Sequence, residues 1–300
     1  MQYLCLAALY GALLSLANTA NALLSGVYGN WGATTMIHLV GLIVLLPFAF
    51  TWGRPKAKSP WYYYLGGLIG ILSVVFVNLG VAGLGVTANL VLMLLGQVIA
   101  SAAVDHLGLF GVKVHRMNGG KALAIMVMTL GCVVMLLLSG ESLSGSSMLA
   151  ALLSLVSGFT MIAARFANAM LSERSGVGYS TVMNYITGLL GSFLVFACLG
   201  LKFNTPFPAQ GQNLLIYLGG ALGAIGIYLA NVITPKLPAL QMSVVVFVGQ
   251  VFMGMVVDGF MGRFSLGTLL GGLLVAAGLL LNVRADGKEV SHGADQQPEE

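Results

Sequence analysis

The sequence predicts an all-α integral membrane protein, with ten transmembrane helices arranged as two inverted five-helix repeats. Its 300 residues are 58% hydrophobic and only 7% charged, which is too few charges for the surface of a soluble protein of this length. The apolar residues fall into ten stretches, each close to the roughly 20 residues that a membrane-spanning helix needs. The last five stretches repeat the sequence pattern of the first five.

The predicted helices use nearly the whole chain, so no separate soluble domain is expected. They cover residues 3–25, 32–52, 61–82, 88–105, 119–139, 148–171, 179–201, 213–234, 240–258 and 267–283. We expect the first repeat over 1–140, the second over 141–284 and a disordered, polar cytoplasmic tail over 285–300. The first stretch follows no basic segment, which indicates a retained helix and not a cleaved signal peptide.

The distribution of Lys and Arg predicts the orientation in the membrane. Two of the basic residues between the predicted helices, Lys202 and Arg263, fall on one side. The other side has Arg54, Lys56, Lys58, Lys113, Arg116, Lys121, Arg174, Lys236, Arg284 and Lys288. Because cytoplasmic loops carry the excess of positive charge, we expect both termini in the cytoplasm of a bacterial inner membrane. The same bias accounts for the net charge of +4 without a nucleic-acid partner.

Three pairs of segments reveal the repeat. "ANALLS" at 20–25 matches "ANAMLS" at 167–172, and "YLGGLIG" at 64–70 matches "YLGGALG" at 217–223. "GQVIASAAVD" at 96–105 matches "GQVFMGMVVD" at 249–258. Because five is an odd number of crossings, the second repeat must enter the membrane from the opposite side. Inverted repeats of this kind are the architecture of secondary transporters.

The motifs also resemble the drug/metabolite transporter superfamily. "LGGLIGILSVVFVNLGVAGLGV" at 65–86, followed by "GQVIASAAVDHLGLFG" at 96–111, is similar to its YdcZ-type subgroup of single five-helix units. The chain looks like two such units fused over about residues 1–283. In the second copy "HLGLFG" becomes "GFMGRF" and "VAGLGV" becomes "TPKLPA". The resemblance implies a transporter in which helices 1–4 and 6–9 line the path while helices 5 and 10 are peripheral.

A single-unit relative would have to dimerise to complete such a fold. The fused chain is expected to complete it alone, so we expect a monomer or a homodimer.

Polar residues inside predicted helices are candidates for function, because they cost free energy in the bilayer unless they face protein or water. Asn18 and Asn21 lie three residues apart on one helix face, and their repeat equivalents are Arg165 and Asn168. Arg165 either faces a central cavity or extends along its helix to the membrane interface. If it faces the cavity, its planar fork favours a carboxylate, phosphate or sulfonate group.

His38 is the only histidine inside a predicted helix. Thr34, His38 and Gly41 correspond to Thr181, Tyr185 and Gly188 in the second repeat, which adds Asn184. Histidine titrates near neutral pH, so His38 is a candidate for coupling transport to protons. The alternative is a hydrogen-bonded packing residue.

Three further pairs of polar residues occupy equivalent positions in the two repeats. Gln97 and Gln250 fall near helix centres, where we expect them to line the cavity; the alternative is that they form hydrogen bonds between helices. Asn78 and Asn231 are expected to form structural hydrogen bonds between helices. Asp105 and Asp258 close their helices, where we expect each to cap the following turn.

The missing residue types narrow the function. Neither Asp nor Glu falls near the middle of a predicted helix, which argues against cationic substrates and favours anionic or neutral ones. The sequence lacks a phosphate-binding P-loop, a Cys/His metal spacing and a hydrolase nucleophile motif. Cys5, Cys132 and Cys198 are isolated and indicate packing residues. We therefore expect no enzymatic activity, no cofactor and no metal.

Together these patterns predict a secondary transporter that moves a small anionic or zwitterionic metabolite by alternating access, with lipids and protons as further partners. The expected binding residues are Arg165, Asn18, Gln97 and Gln250, joined by Asn21, Asn168, Asn184 and Tyr185. One alternative is a flippase for a lipid-linked anionic headgroup. Another is a membrane scaffold that transports nothing.

Overall fold

The computed structural model of the chain describes residues 1–49, 58–84, 86–138, 147–203, 206–208, 213–260 and 266–294. These residues form helices and connecting segments, with no β-strand among them. The helices are α1 Gln2–Ala49, α2 Gly66–Leu84, α3 Val86–Leu107, α4 Gly119–Leu138, α5 Ser147–Ser175, α6 Val177–Cys198, α7 Leu218–Ile233, α8 Ala239–Phe260 and α9 Leu266–Ala294. Short 3-10 helices, Trp61–Leu65 and Leu214–Tyr217, lead into α2 and α7.

Seven helices of the described chain are long and apolar enough to cross a membrane, and Gly119–Met135 and Leu269–Gly278 are shorter apolar helices. The first span, Gln2–Pro47, has 46 residues. At 1.5 Å per residue it would be about 69 Å long if straight, more than twice the ~30 Å hydrocarbon core of a bilayer. Gly29, with φ 69° and ψ 172°, breaks the helical geometry of α1. The two helices expected at 3–25 and 32–52 therefore meet at one glycine, without the loop that the sequence suggested.

The C-terminal end also differs from the expectation. Residues 285–294, which the sequence analysis assigns to a disordered tail, continue α9 as helix. The predicted tail was wrong for this part because low hydrophobicity does not stop a helix, and the segment contains no proline to break it. Residues 295–300 lie outside the described part of the chain, as do residues 50–52 of the second predicted helix.

The outside of the described structure is apolar, unlike the surface of a soluble protein. Large apolar residues such as Leu137 (74%), Met148 (79%) and Phe260 (90%) are exposed on the outside. Buried positions include hydroxyl and amide side chains, among them Ser101 and Gln250. Such an arrangement suits hydrocarbon as the surrounding solvent, because apolar surface costs nothing there and polar groups are best kept against protein.

The largest apolar core joins α3, α4, α8 and α9. Met93, Met128, Phe247 and Val275 are among its fully buried members. α4 and α9 pack closely against each other, with Gly131 against the backbone of Gly271. Met161 of α5 also packs against this core.

Close helix crossings occur at glycines in reciprocal pairs. Gly11 of α1 lies directly against Val246 of α8, and its repeat equivalent, Gly158 of α5, lies against Met93 of α3. The repeat offsets that convert Gly11 to Gly158 also convert Met93 to Val246. The same exchange relates Gly249–Ala8 to Gly96–Leu155, Gly220–Ile37 to Gly67–Asn184, and Gly131–Gly271 to Gly278–Ala124. Each of these contacts between the two halves thus has an equivalent in which the roles of the halves are exchanged.

We expect Gly158→Ala to destabilise the protein by about 1–3 kcal/mol, the usual cost of overpacking. A Cβ at Gly158 would collide with the backbone of Met93 and Gln97, forcing α5 away from α3. Thermal unfolding of the purified protein in detergent measures the change. Gly70→Ala is the matched control, because a Cβ at Gly70 in α2 meets nothing within 4 Å. Equal unfolding temperatures for the two variants would contradict this account of the crossing.

Candidate functional site

A cavity of about 400 Å³ opens where the ends of α3 and α5 meet the start of α8. Lys113 and His115, from the segment after α3, contribute to its wall. Glu173 of α5 and Lys236, just before α8, lie on the other sides. We call this end of the molecule the basic face. The cavity can therefore receive a charged, water-soluble group.

Arg165 lies one helical turn deeper in α5 than Ala169, which lines the cavity. Its side chain is only 6% exposed. The guanidinium Nη2 donates a 2.8 Å hydrogen bond to Ser243 Oγ of α8, and Ser243 Oγ shares a 2.6 Å hydrogen bond with Ser101 Oγ of α3. The guanidinium is thus buried between three helices and not exposed at the basic face. Its Nε has no hydrogen-bond partner in the described structure.

No acidic side chain of the described residues forms a salt bridge with Arg165. Asp105 lies close enough to act on it electrostatically, but both oxygens of that carboxylate are taken by backbone amides. A buried cation with a neutral hydroxyl partner and a free donor is costly to keep in a low-dielectric interior. The arrangement offers a bound anion a charge and up to three donor side chains.

Asp105 has a different role from the one expected. It was predicted to cap the turn after its own helix. Instead its Oδ1 accepts a 2.8 Å hydrogen bond from Ala239 N and its Oδ2 a 2.6 Å hydrogen bond from Leu240 N, at the start of α8. The cap is formed across the two halves, because a carboxylate gains more at the positive N-terminal end of a helix than at the C-terminal end of α3.

Phe166 separates the cavity from Arg165. Its ring stacks on Phe110 with 5.2 Å between the ring centroids and 5° between the planes. The Arg165 guanidinium lies 5.9 Å from the same ring centroid. Phe110 belongs to the segment after α3 and has a φ of 60°, a left-handed conformation that few non-glycine residues adopt. The strained backbone thus presents a ring at the floor of the cavity.

Gln97 of α3 and Gln250 of α8 are 2% and 0% exposed. The Nε2 of Gln97 and both polar atoms of Gln250 have no hydrogen-bond partner among the described residues. Gln97 lies one turn from Ser101 on α3, and Gln250 lies two turns from Ser243 on α8. The two amides therefore continue the Arg165 group deeper into the molecule, with donors and acceptors available to a solute.

The amides of α5 and α6 form a second polar cluster. Asn168 Nδ2 donates to Asn184 Oδ1 at 2.8 Å, and Ser180 Oγ donates to the Asn168 carbonyl at 2.6 Å. Asn231 Nδ2 of α7 donates to Thr181 Oγ1 at 3.1 Å. The structure brings these residues together near the basic face. They bond to one another here, so a role of Asn168 and Asn184 in binding stays a prediction.

His38 of α1 and Tyr185 of α6, which are repeat equivalents, meet across the pair Gly41 and Gly188. Their ring centroids are 5.6 Å apart, and both side chains are buried. His38 Nδ1 hydrogen-bonds to the Thr34 carbonyl at 2.8 Å, while the Tyr185 hydroxyl donates to the Gly220 carbonyl at 3.2 Å. The pair lies where α1 crosses α6, apart from the residues that line the cavity.

The remaining predicted residues lie in other places. Asn21 packs against Gly219 of α7, and its Oδ1 has no partner among the described residues. Asn18, one turn earlier, is half-buried and makes no hydrogen bond to the Arg165 group in the described chain. Asn78 Nδ2 donates to Asn30 Oδ1. Asp258 is near the end of α8, but its side chain lies outside the described part of the structure.

The opposite end of the molecule, which we call the far face, is covered by aromatic rings. The hydroxyls of Tyr28 and Tyr217 share a 2.6 Å hydrogen bond, and Tyr28 also donates to the Pro206 carbonyl at 2.9 Å. Phe203 stacks on Phe196 near the end of α6 with ring centroids 4.5 Å apart. α6 begins near the basic face, and its other end lies about 33 Å away along the helix axis. In the described part of the chain, the cavity therefore lies at one end and this group of rings at the other.

Sequence reasoning missed Ser101, Ser243 and the stacked rings Phe110 and Phe166. A signal for the serines was present, because Ser101 follows Gln97 by four residues and Ser243 precedes Gln250 by seven, on one helix face each. The sequence carried no comparable signal for the ring stack, which depends on a left-handed residue in a loop.

The profile of one protein family matches the chain twice, over residues 2–134 and 149–281. The chain belongs to the YdcZ family of the drug/metabolite transporter superfamily. The family is described as "Putative inner membrane exporter, YdcZ". The two matches make the chain a tandem fusion of YdcZ units, as the sequence motifs predicted. With its apolar helices, this fusion is a multi-pass inner-membrane protein of a transporter class, which is not an enzyme class.

A solved structure described as "Crystal structure of protein" has a similar fold, with a TM-score of 0.71 over 93% of this chain and 94% of its own. The two sequences are 14% identical, so the likeness concerns the fold alone. A search of curated proteins gives no match.

We expect Asp105→Ala to destabilise the YdcZ fusion by about 1–2 kcal/mol, the cost of removing a helix N-cap. The substitution leaves the Ala239 and Leu240 amides without their acceptor. Hydrogen exchange of these two amides measures the local effect, and thermal unfolding measures the global one. Asp105→Asn keeps one oxygen acceptor and should recover part of the loss. Unchanged exchange in Asp105→Ala would rule out the cap as a stabilising contact.

Proposed function

We propose that this YdcZ fusion is a secondary active transporter that moves a small anionic or zwitterionic metabolite across the inner membrane by alternating access. The observation that carries the proposal is the buried, unpaired cation of Arg165 beneath the cavity of the basic face. A charge buried in a membrane protein without a salt bridge is costly, which indicates a functional role. Binding of an anion is the use that the neighbouring donors favour.

The ligand chemistry follows from the donor set. The guanidinium presents several N–H groups in one plane, and Ser243 and Ser101 add two hydroxyls. A carboxylate, phosphate or sulfonate accepts hydrogen bonds from such a fork with two oxygens at once. Gln97 and Gln250 supply neutral donors and acceptors for the rest of the solute. Asn18, Asn21, Asn168, Asn184 and Tyr185 are proposed as residues that contact the solute in other states of the cycle.

Alternating access is supported by the reciprocal contacts of the two halves. In our proposal the halves are inverted repeats of five crossings each, with α1 crossing twice because of the break at Gly29. Inverted repeats allow one half-structure to be used in both orientations, so two states of similar energy face opposite sides. The cavity at the basic face and the aromatic rings at the far face are consistent with one such state.

The orientation in our proposal follows the positive residues. The basic face is cytoplasmic, which leaves both termini in the cytoplasm and the aromatic rings outside. The sequence has no nucleotide-binding loop, so the proposed energy source is a gradient of the solute or of protons. The family description favours export as the direction.

We expect Arg165→Ala to abolish anion binding by the purified protein. Binding is read from thermal stabilisation by carboxylates, phosphates and sulfonates, next to cations of equal size. An anion at a hundred times its dissociation constant should stabilise the native protein by about 2.7 kcal/mol. Arg174→Ala is the matched control, since Arg174 is an exposed arginine on the same helix. Arg165→Lys keeps the charge but loses the fork, and it should bind more weakly.

Anion stabilisation that survives in Arg165→Ala would refute the proposed site. Stabilisation by cations in the native protein would refute the proposed substrate class.

We propose His38 as the group that couples transport to protons, since it is the buried histidine of α1 and faces Tyr185. His38→Gln keeps a polar side chain that cannot take up a proton. In proteoliposomes, transport by this variant should lose its stimulation by an imposed pH gradient, while transport down a solute gradient persists. Tyr185→Phe, at the same crossing, keeps His38 able to take up a proton, so the response of this variant to the pH gradient should persist even if its solute affinity changes. A full response to the pH gradient in His38→Gln would exclude this role.

A further inference from the structure

The buried face of α5 carries polar side chains along its whole length. Ser154, Ser157, Arg165, Asn168 and Ser172 are each at most 6% exposed and share one side of the helix. From Ser154 to Ser175, which is also buried, the helix rises by about 31 Å, the thickness of a hydrocarbon core. α5 therefore presents a mostly polar route from the basic face, past Arg165, towards the far face, interrupted at Met161, which packs against the apolar core.

The polar part of this route beyond Arg165 is built from hydroxyls and one amide. Ser154 Oγ donates to Asn89 Oδ1 of α3 at 2.8 Å, and Ser73 Oγ of α2 donates to Thr160 Oγ1 at 2.8 Å. Ser157 lies between these two contacts and is fully buried. We call Ser73, Asn89, Ser154, Ser157 and Thr160 the hydroxyl seam. It joins α5 to α2 and α3 in the half of the molecule away from the cavity.

The other repeat supplies an internal comparison. The positions equivalent to the hydroxyl seam are Gly226, Met242, Ala7, Tyr10 and Leu13, which we call the apolar seam. They join α1 to α7 and α8, and Ala7, Tyr10 and Met242 belong to one buried apolar cluster. Tyr10 is the member of the apolar seam that carries a hydroxyl, so the same helix crossings are packed with one hydroxyl in one half of the molecule and with four in the other. Helix packing alone therefore does not require Ser73, Asn89, Ser154 or Thr160, whose equivalents have apolar side chains or none.

Hydroxyl pairs also differ from apolar pairs in what happens when helices separate. A hydroxyl that loses its partner can bond to water or to a polar solute. Separated apolar side chains expose surface that water disfavours. A seam that opens and closes during transport is therefore better made of hydroxyls, whereas a seam that stays closed is better made of apolar residues.

We propose that the hydroxyl seam is the far-face half of the solute path, which opens when α5 separates from α2 and α3. Ser157, Thr160 and Asn89 then hydrogen-bond the solute between Arg165 and the far face. The apolar seam stays closed while the far face is open. This inference rests on the proposed transport function, and it adds the binding residues on the side of Arg165 away from the cavity.

The test uses cysteine accessibility in the full chain, with Cys5, Cys132 and Cys198 replaced by alanine. Ser154→Cys, Ser157→Cys and Thr160→Cys are made one at a time in sealed membrane vesicles. The probe is a charged, membrane-impermeant methanethiosulfonate reagent, added from each side. Lys202→Cys and Lys113→Cys mark the far face and the basic face.

Two control positions define the background. Leu152 is 56% exposed on the outside of α5, at a depth near that of Ser154, so Leu152→Cys reports reaction at the lipid surface. Ala7→Cys reports the apolar seam. We expect the hydroxyl-seam cysteines to react from the far face at least tenfold faster than Leu152→Cys. We expect Ala7→Cys to stay unreacted from the far face.

Rates no faster than that of Leu152→Cys at all three seam positions would overturn the proposal. Reaction of Ala7→Cys from the far face as fast as that of Ser154→Cys would also overturn it, because the far-face path would then not be confined to the hydroxyl seam. If one seam variant fails to fold, the other two still give the result. Inorganic phosphate, sulfate and acetate binding is measured separately in Arg165→Ala. Retained binding there refutes the anion site, while the labelling result still decides the path.

Discussion

Backbone contact between helices at glycines is the constraint on which the rest of the structure depends. Because Gly11 and Gly158 have no side chains, α1 can lie close to α8 and α5 can lie close to α3. At the same crossings the backbones of Gln250 and Gln97 come against the glycines. In a bilayer, where apolar side chains gain little by meeting one another, such close packing is the main source of helix association. It also fixes where the polar side chains of α3, α5 and α8 can meet.

The two halves share this frame but not their chemistry. Arg165 stands where the first repeat has Asn18, and Ser243 stands where it has Leu90. Ser101 stands where the second repeat has Gly254. The equivalent place in the other repeat therefore has no counterpart of the Arg165–Ser243–Ser101 group. The counterpart of the hydroxyl seam is the apolar seam. Symmetric packing makes two orientations possible, while asymmetric polar residues give each part of the route its own role.

Most of the helix positions could be predicted from the sequence because long apolar stretches have few alternatives in a bilayer. The predicted 88–105 and 119–139 became α3 Val86–Leu107 and α4 Gly119–Leu138. The ends were harder to predict, since polar residues after 284 can extend a helix that has already formed. The sequence also singled out Arg165, Gln97 and Gln250 as polar residues in spans. Their partners could not be predicted, because Ser243 is 78 residues from Arg165.

The sequence by itself determined the membrane class, the duplication and the family, because these depend on composition, period and local motifs. It also determined that a permanent cation lies within an apolar helix. Only the tertiary structure decided that this cation is buried against a serine of α8, and that Asp105 caps the other half's helix instead of its own turn. The physical reason is that helix crossings choose the neighbours of a buried polar group. Crossings depend on glycines far apart in the chain, whose contacts no local pattern records.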